Sequence, residues 1–184
     1  MGMAPARRRR FRPFSLGEIG GANQLAAPSD FSNAIWTKNS ANSCVYDAAL
    51  APDATLTADR ISNSATVASV GVYQSIAVDV GESMSVFAKA ETCSKIALVD
   101  AVSGAAYAQF DLAAGSILTS ANCTASIENF GGGWYRCTAG VVAVGGGFFI
   151  VQLLDAMVAG NPWITGTNAA NNSVLLWRAR LWLP

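Results

Sequence analysis

The sequence predicts an all-β protein folded as a two-sheet sandwich, and three observations carry that prediction. Over residues 25–184, short apolar segments alternate with Gly, Asn, Asp and Ser punctuation. Several of these segments keep a strict period of two, which a helix would not sustain. About ten to twelve such segments fit into roughly 160 residues, the strand density of a two-layer β fold.

The elements follow in chain order. Residues 1–24 read as an extended arm, because MAPARRRRFRPFSLGEIGG could not bury enough surface to order itself alone. Residues 25–184 form the sandwich. Ala34–Lys38, Cys44–Asp47 and Leu56–Ile61 are the first candidate strands, and Pro52 marks the ambiguous stretch Ala48–Ala58 as a loop. Val72–Asp79 follows. Ser83–Glu91 (SMSVFAKAE) then sets Met84, Val86, Ala88 and Ala90 on one face and Ser85, Phe87, Lys89 and Glu91 on the other. Lys95–Ala101, Ala105–Leu112 and Thr124–Glu128 are further strands. Gly131–Gly133 permits positive φ at a tight hairpin turn. Beyond it, Tyr135, Cys137, Ala139 and Val141 share one face, with Trp134, Arg136 and Thr138 opposite. Gly147–Asp155 (GFFIVQLLD) is apolar on both faces and therefore central. Ser173–Leu183 is expected to place Leu175, Trp177, Ala179, Leu181 and Leu183 together, with Arg178 and Arg180 facing outward. No helical stretch and no internal repeat emerges.

Composition narrows function further. Of the 184 residues, 52% are hydrophobic and 13% charged, against a usual charged share of about 25%. Such a chain is not intrinsically disordered, and it is expected to bury apolar surface against a neighbour. The formal net charge of zero hides a segregation: five of the 12 basic residues are Arg7, Arg8, Arg9, Arg10 and Arg12. The other seven stand against all 12 acidic residues, so a cationic arm is joined to an acidic body. There is no histidine, which removes Ser-His-Asp and Cys-His catalysis and histidine metal sites. Cys44, Cys93, Cys123 and Cys137 form no CxxC motif and read as reduced thiols, three or four of them in the core.

Phe11–Gly21 contains Arg12, Pro13, Glu18 and three glycines, so it has no apolar stretch of the secretory type. Ala139–Gly160 is nearly all apolar, but its Gly145–Gly147 run suits a turn between buried strands and not a membrane span. The glycine runs precede no helix and lack a Lys-Ser/Thr ending, so they are not phosphate cradles. Asp53 with Asp59, and Asp79 with Glu82, read as turn and loop acids and not as a catalytic pair.

Several motifs occur in a fixed order: DFSNAIWTKNS (30–40), APDATLTADRI (51–61), VYQSIAV (72–78), SVFAKA (85–90), FDLAAGSI (110–117), ASIENFGGGWYRC (125–137) and NNSVLLWRARLWLP (171–184). The series resembles a jelly-roll module common in virion proteins of tailed bacteriophages: head fibres or spikes, capsid-decorating proteins and tail fibres. Its architecture is similar to that of galactose-binding-like carbohydrate-binding jelly rolls. The likeness covers nearly all of residues 25–184, and the GGGWYRC stretch is its strongest piece. One departure stands out. Family members often close on an aromatic-Ile-Trp-Gly-Ala-Gln-Leu-Glu strand, whereas here Leu176-Trp177-Arg178-Ala179-Arg180-Leu181 carries two arginines.

The resemblance implies an antiparallel jelly-roll sandwich acting as a non-enzymatic virion subunit, assembled in the bacterial host cytoplasm. Homo-oligomers, most often trimers, are expected with it. Arg7, Arg8, Arg9, Arg10, Phe11, Arg12 and Phe14 are the expected anchor on another virion protein, capsid, portal-proximal or tail. Their guanidinium forks suit carboxylates, and the two rings add apolar contact. Nucleic acid is not the expected partner of so short and terminal a run. The alternative is a carbohydrate-binding module for a cell-surface glycan. Trp163 in a Gly-Asn-Pro-Trp loop, Trp36 and Trp134 are the candidate glycan or interface aromatics. Related jelly rolls often hold a structural calcium, but no ligand loop is legible, and no cofactor is expected.

Overall fold

The computed structural model describes residues 21–38, 42–68, 70–100 and 106–184. Its strands are β1 (Thr37–Lys38), β2 (Asn42–Leu50), β3 (Leu56–Asn63), β4 (Val67–Ala68), β5 (Gly71–Val78), β6 (Ser83–Ala90), β7 (Lys95–Asp100), β8 (Tyr107–Asp111), β9 (Ser116–Ala121), β10 (Cys123–Gly131), β11 (Trp134–Val141), β12 (Gly147–Leu154), β13 (Thr167–Asn168) and β14 (Ser173–Trp182). A single helical turn, α1 (Pro162–Thr165), lies between β12 and β13.

Two antiparallel six-stranded sheets result. The first runs β1-β5-β12-β7-β8-β9 and the second β10-β11-β6-β14-β3-β2. The order has a simple origin. β7 pairs with β8, β6 with β11, β5 with β12 and β3 with β14. These are the nested pairs of one long antiparallel ribbon. Rolling that ribbon alternates its pairs between two sheets and gives the eight-stranded jelly roll expected from the sequence. β9 and β10 are added at the sheet edges. Asn122, at φ 54°, lets the chain turn from the first sheet into the second.

The core lies between the sheets, and alternation decides what enters it. β6 contributes Met84, Val86 and Ala88, and β11 contributes Cys137, Ala139 and Val141. Their intervening residues face outward, as period two requires. The β10–β11 turn has Gly132 and Gly133 at φ 61° and 83° between the paired Gly131 and Trp134. That two-residue, all-positive-φ turn matches the twist of the strands it joins.

β12 is central in the first sheet and, Phe148 apart, buried on both faces, because residues 155–170 fold back across part of the sheet's outer side. Two fully buried amides hold that segment. Gln109 donates to the Val158 carbonyl at 2.8 Å and accepts from its N–H at 3.0 Å, and Gln152 donates to the Pro162 carbonyl at 2.8 Å. Apolar Ala97, Val99, Tyr107, Ile150 and Leu154 fill the space beneath it. Ala139–Gly160 is thus a strand end, a turn and a second strand. Among the described residues no helix is long and apolar enough to cross a membrane.

One face assignment needs correction. β14 does not keep one phase. Its pairing to β6 slips between Trp177 and Arg180, and Arg178 takes φ 43°. This bulge reverses the alternation. Val174 and Leu176 face the core before it, Ala179 and Leu181 after it. Leu175 and Trp177 therefore pack on the outer side, in a second cluster with Ala51, Ala58, Phe87 and Trp134. The expected set of five residues on one face is split by one extra residue.

Among the described residues, hydrogen bonding to the sandwich is already present at Gly21, ahead of the expected boundary at 25. Gly21 N–H donates to the Leu183 carbonyl and Gln24 N–H to the Leu181 carbonyl, each at 2.9 Å, so residues 21–24 run antiparallel to the end of β14.

All four cysteines are free. Burial pushes the Cys44 thiol up to about 12 and raises those of Cys93, Cys123 and Cys137 as well. Folding therefore favours the neutral thiols. Their contribution to stability is present below the unfolded thiol value of about 8.5 and is lost as pH rises from there through the folded values. The expected result is slow alkylation of the native protein by iodoacetamide at pH 8, four adducts by mass spectrometry after unfolding, and a thermal midpoint that falls above about pH 9. Rapid native labelling of Cys137 would contradict its burial.

Candidate functional site

The outer face of the second sheet carries a groove of about 680 Å³. Pairing lays its floor out in rows across β10, β11, β6 and β14. Glu128, Arg136, Phe87 and Trp177 form one row, and Ser126, Thr138, Ser85 and Arg180 the next. Thr124, Gly140, Ser83 and Trp182 form the third. Gly140 leaves that row open: a Cβ there would stand 2.9 Å from Thr124 Oγ1 and 3.2 Å from Ser83 Oγ. The N-terminal segment, through Asn23, Pro28 and Ser29, walls one side.

The first row closes the groove with aromatic rings. Phe87 meets Trp177 edge-on at 5.1 Å and Phe130 at 4.9 Å. Trp177 donates from Nε1 to Thr57 Oγ1 at 3.1 Å. Beyond these rings the floor becomes a lawn of hydroxyls overlooked by three guanidinium groups. Arg178 lies 4.3 Å above the Trp177 ring and Arg180 4.8 Å above Trp182. Arg136 is 5.8 Å from the Phe130 centroid and pairs with Glu128 at 2.5 Å.

The groove is cationic on balance. Among the described lining residues Glu128 carries the one acidic side chain, and Asp53 reaches Arg178 only at 3.9 Å. Arg180 gives Nη2 to the Gly21 carbonyl at 2.7 Å. The Nε atoms of Arg136 and Arg180 are buried and have no hydrogen-bond partner. Chemically, such a surface can bind and orient an anionic, hydroxyl-bearing ligand. Among the described residues no three His, Cys, Asp or Glu side chains are grouped to hold a metal ion.

The residues predicted from sequence fall elsewhere. Arg7, Arg8, Arg9, Arg10, Phe11, Arg12 and Phe14 lie outside the described residues. Trp36 is 1% exposed and sits in the main core against Phe31 and Phe149. No ring face of Trp36 is left for a ligand, because the segment 25–36 folds over the sandwich and carries Leu25, Phe31 and Trp36 inward together. Trp134 is 4% exposed and donates from Nε1 to the Leu50 carbonyl, so the β2–β3 connection covers it. Trp163 is half-buried on the opposite sheet, in α1, with its ring 5.9 Å from Tyr73. The three tryptophans form no common site.

The candidate acids are likewise structural. Asp59 is buried and accepts backbone N–H groups from Phe31 at 2.7 Å and Asp47 at 3.0 Å. Burial raises its pKa, and the two N–H groups act against that rise. Glu82 caps the turn by accepting from Asp79 N–H at 2.8 Å.

The groove residues were not recognisable as a site from sequence, since Ser83, Ser126, Arg136 and Arg180 come from four strands. The available signal was the pair of outward arginines that departs from the family's closing strand. No protein-family model and no curated protein matches this sequence, so its likeness to phage virion jelly rolls rests on the motif series alone.

Proposed function

We propose that the chain is a non-enzymatic structural subunit of a phage-type virion. In this reading Arg7–Phe14 dock it to another virion protein, and copies of the sandwich associate with one another, a trimer being favoured. The observation that carries the reading is the apolar outer surface of the first sheet. Phe148 is 45% exposed and stacks on Tyr73 at 5.8 Å, Trp163 abuts the same Tyr73, and the neighbouring Ile164 is 64% exposed. Large apolar side chains left exposed beside a partly covered aromatic cluster suit a protein interface. The low charged fraction and the motif series support the same reading.

The test is the oligomeric state of the full chain by light scattering. A homo-oligomer is expected, and Phe148→Asp combined with Ile164→Asp should convert it to monomer while the native circular dichroism spectrum is kept. A wild-type chain that is monomeric at 100-fold the concentration needed for detection would refute self-association through this face. Recognition of a cell-surface glycan is the second reading. The groove of the second sheet favours it, rather than the loop tryptophan.

A further inference from the structure

We infer that the apolar end of the sandwich beside Gly21 is covered by the chain's own residues 15–20, with Leu16 and Ile19 laid against Val80, Val142 and Leu183. The covering segment stops short of Phe14, so the docking of Arg7–Phe14 proposed above stands or falls separately. Close backbone approaches gather this end. Gly81 N–H donates to the Val141 carbonyl at 2.8 Å and Gly146 N–H to the Val78 carbonyl at 2.7 Å. A Cβ at Gly81 would stand 3.7 Å from Leu183 Cδ1. The turn at 79–82, the turn at 142–146 and Leu183 therefore meet. Their large side chains face outward: Val80, Val142, Val144 and Leu183 are between 45% and 60% exposed. Turns left to water ordinarily carry Gly, Asn, Asp or Ser. Across residues 79–82, 142–146 and 183–184 the charged side chains are Asp79 and Glu82. Glu82 is buried, accepting from Gln24 Nε2 and the Asp79 N–H.

Val144 adds an independent observation. It takes φ 56°, a conformation that is costly for a β-branched residue and that glycine adopts freely. A valine held there with its side chain outward suits neither its backbone nor water. It suits an apolar neighbour.

The occupant follows from where the preceding chain joins the sandwich. Gly21 N–H donates to the Leu183 carbonyl at 2.9 Å, so residue 20 is attached at this same end. Ile19 and Leu16 stand two and five residues before Gly21, within about 7 Å and about 17 Å of extended chain. So short a tether holds both side chains near the patch at an effective concentration of about millimolar. A second copy, or a different protein, has to reach the patch from solution.

The experiment follows cleavage of the full chain after Glu18 by a glutamate-specific protease, at protein concentrations of about 1 and about 100 µM. Cleavage after Glu18 requires the segment to leave the patch, so its rate reads the open population. It should be slow and independent of protein concentration. Val80→Ser combined with Val142→Ser should speed it at least tenfold, while circular dichroism and the thermal midpoint stay near wild type. Phe148→Asp combined with Ile164→Asp should leave it unchanged, which separates this contact from self-association through the first sheet. Protection seen only at the higher concentration would overturn the assignment in favour of a second copy. Rapid cleavage of wild type, equal to that of the Val80→Ser, Val142→Ser variant, would overturn it outright and leave the patch to another protein. Slow cleavage that is indifferent to the Val80 and Val142 substitutions would overturn the patch as the seat of the segment.

Discussion

Replacing Trp36 with alanine is expected to destabilise the protein by about 3–5 kcal/mol. The ring is fully enclosed, 4.7 Å from Phe31 and 5.9 Å from Phe149, and its Nε1 donates to the Ala27 carbonyl at 2.9 Å. Truncation removes a large apolar surface from the core. It also leaves a cavity that paired strands cannot collapse to fill, and deprives the Ala27 carbonyl of one of its two donors, the other being the Asp30 N–H at 3.2 Å. Against a typical total stability of about 5–15 kcal/mol, that is a large fraction. Urea unfolding followed by circular dichroism reads it as a lower midpoint at unchanged slope. Trp36→Phe keeps most of the volume and should recover more than half of the loss. A Trp36→Ala midpoint equal to wild type would mean that this ring is no part of the core.

Gly71→Ala should be nearly as damaging, although it adds a single methyl group. A Cβ at Gly71 would stand 2.3 Å from the Val151 carbonyl oxygen and 2.9 Å from Gln152 Cα. Both atoms belong to the backbone of β12, which pairs with β5 at this point through Gly71↔Gln152 and Val72↔Val151. Neither can swing aside as a flexible side chain would. Relief requires the two strands to part in the middle of the first sheet, and the Asn42 Nδ2 bond to the Gly71 carbonyl at 2.7 Å goes with them. The expected cost is about 3 kcal/mol. Gly132→Ala is the informative contrast. Open space surrounds Gly132, but its φ is 61°, so alanine there meets only the left-handed penalty of about 1–2 kcal/mol. If the two variants lose equal stability, close backbone approach is not what selects glycine at position 71.

How much of this was readable depends on whether a property was local. Period two in Ser83–Ala90 and in Trp134–Val141 placed their side chains correctly, since alternation is fixed by the strand itself. The doubly apolar run at Gly147–Leu154 announced a central strand. Ser116–Ala121 escaped notice because β9 is half-exposed on both sides and lacks an apolar face. β14 was misread for a different reason: nothing in the Arg178 side chain announces a bulge, and one inserted residue exchanges the faces of everything after it. Trp36 was placed in a strand, but it is the preceding turns that carry it under the sheet. The groove was least legible of all. Its floor depends on β14 and β11 flanking β6, an arrangement that exists only after the ribbon has rolled.

The antiparallel run of residues 21–24 along the end of β14 has a mechanical consequence. Because Gly21 meets Leu183 and Gln24 meets Leu181, a tension applied at residue 21 and residue 184 pulls both strands from the same end. The bonds are then stretched one after another, as in opening a zipper, and not together as in shear. The seam would peel at low force and re-form readily when slack returns. A sandwich loaded in this way yields first at its edge, while the interleaved sheets behind it stay intact.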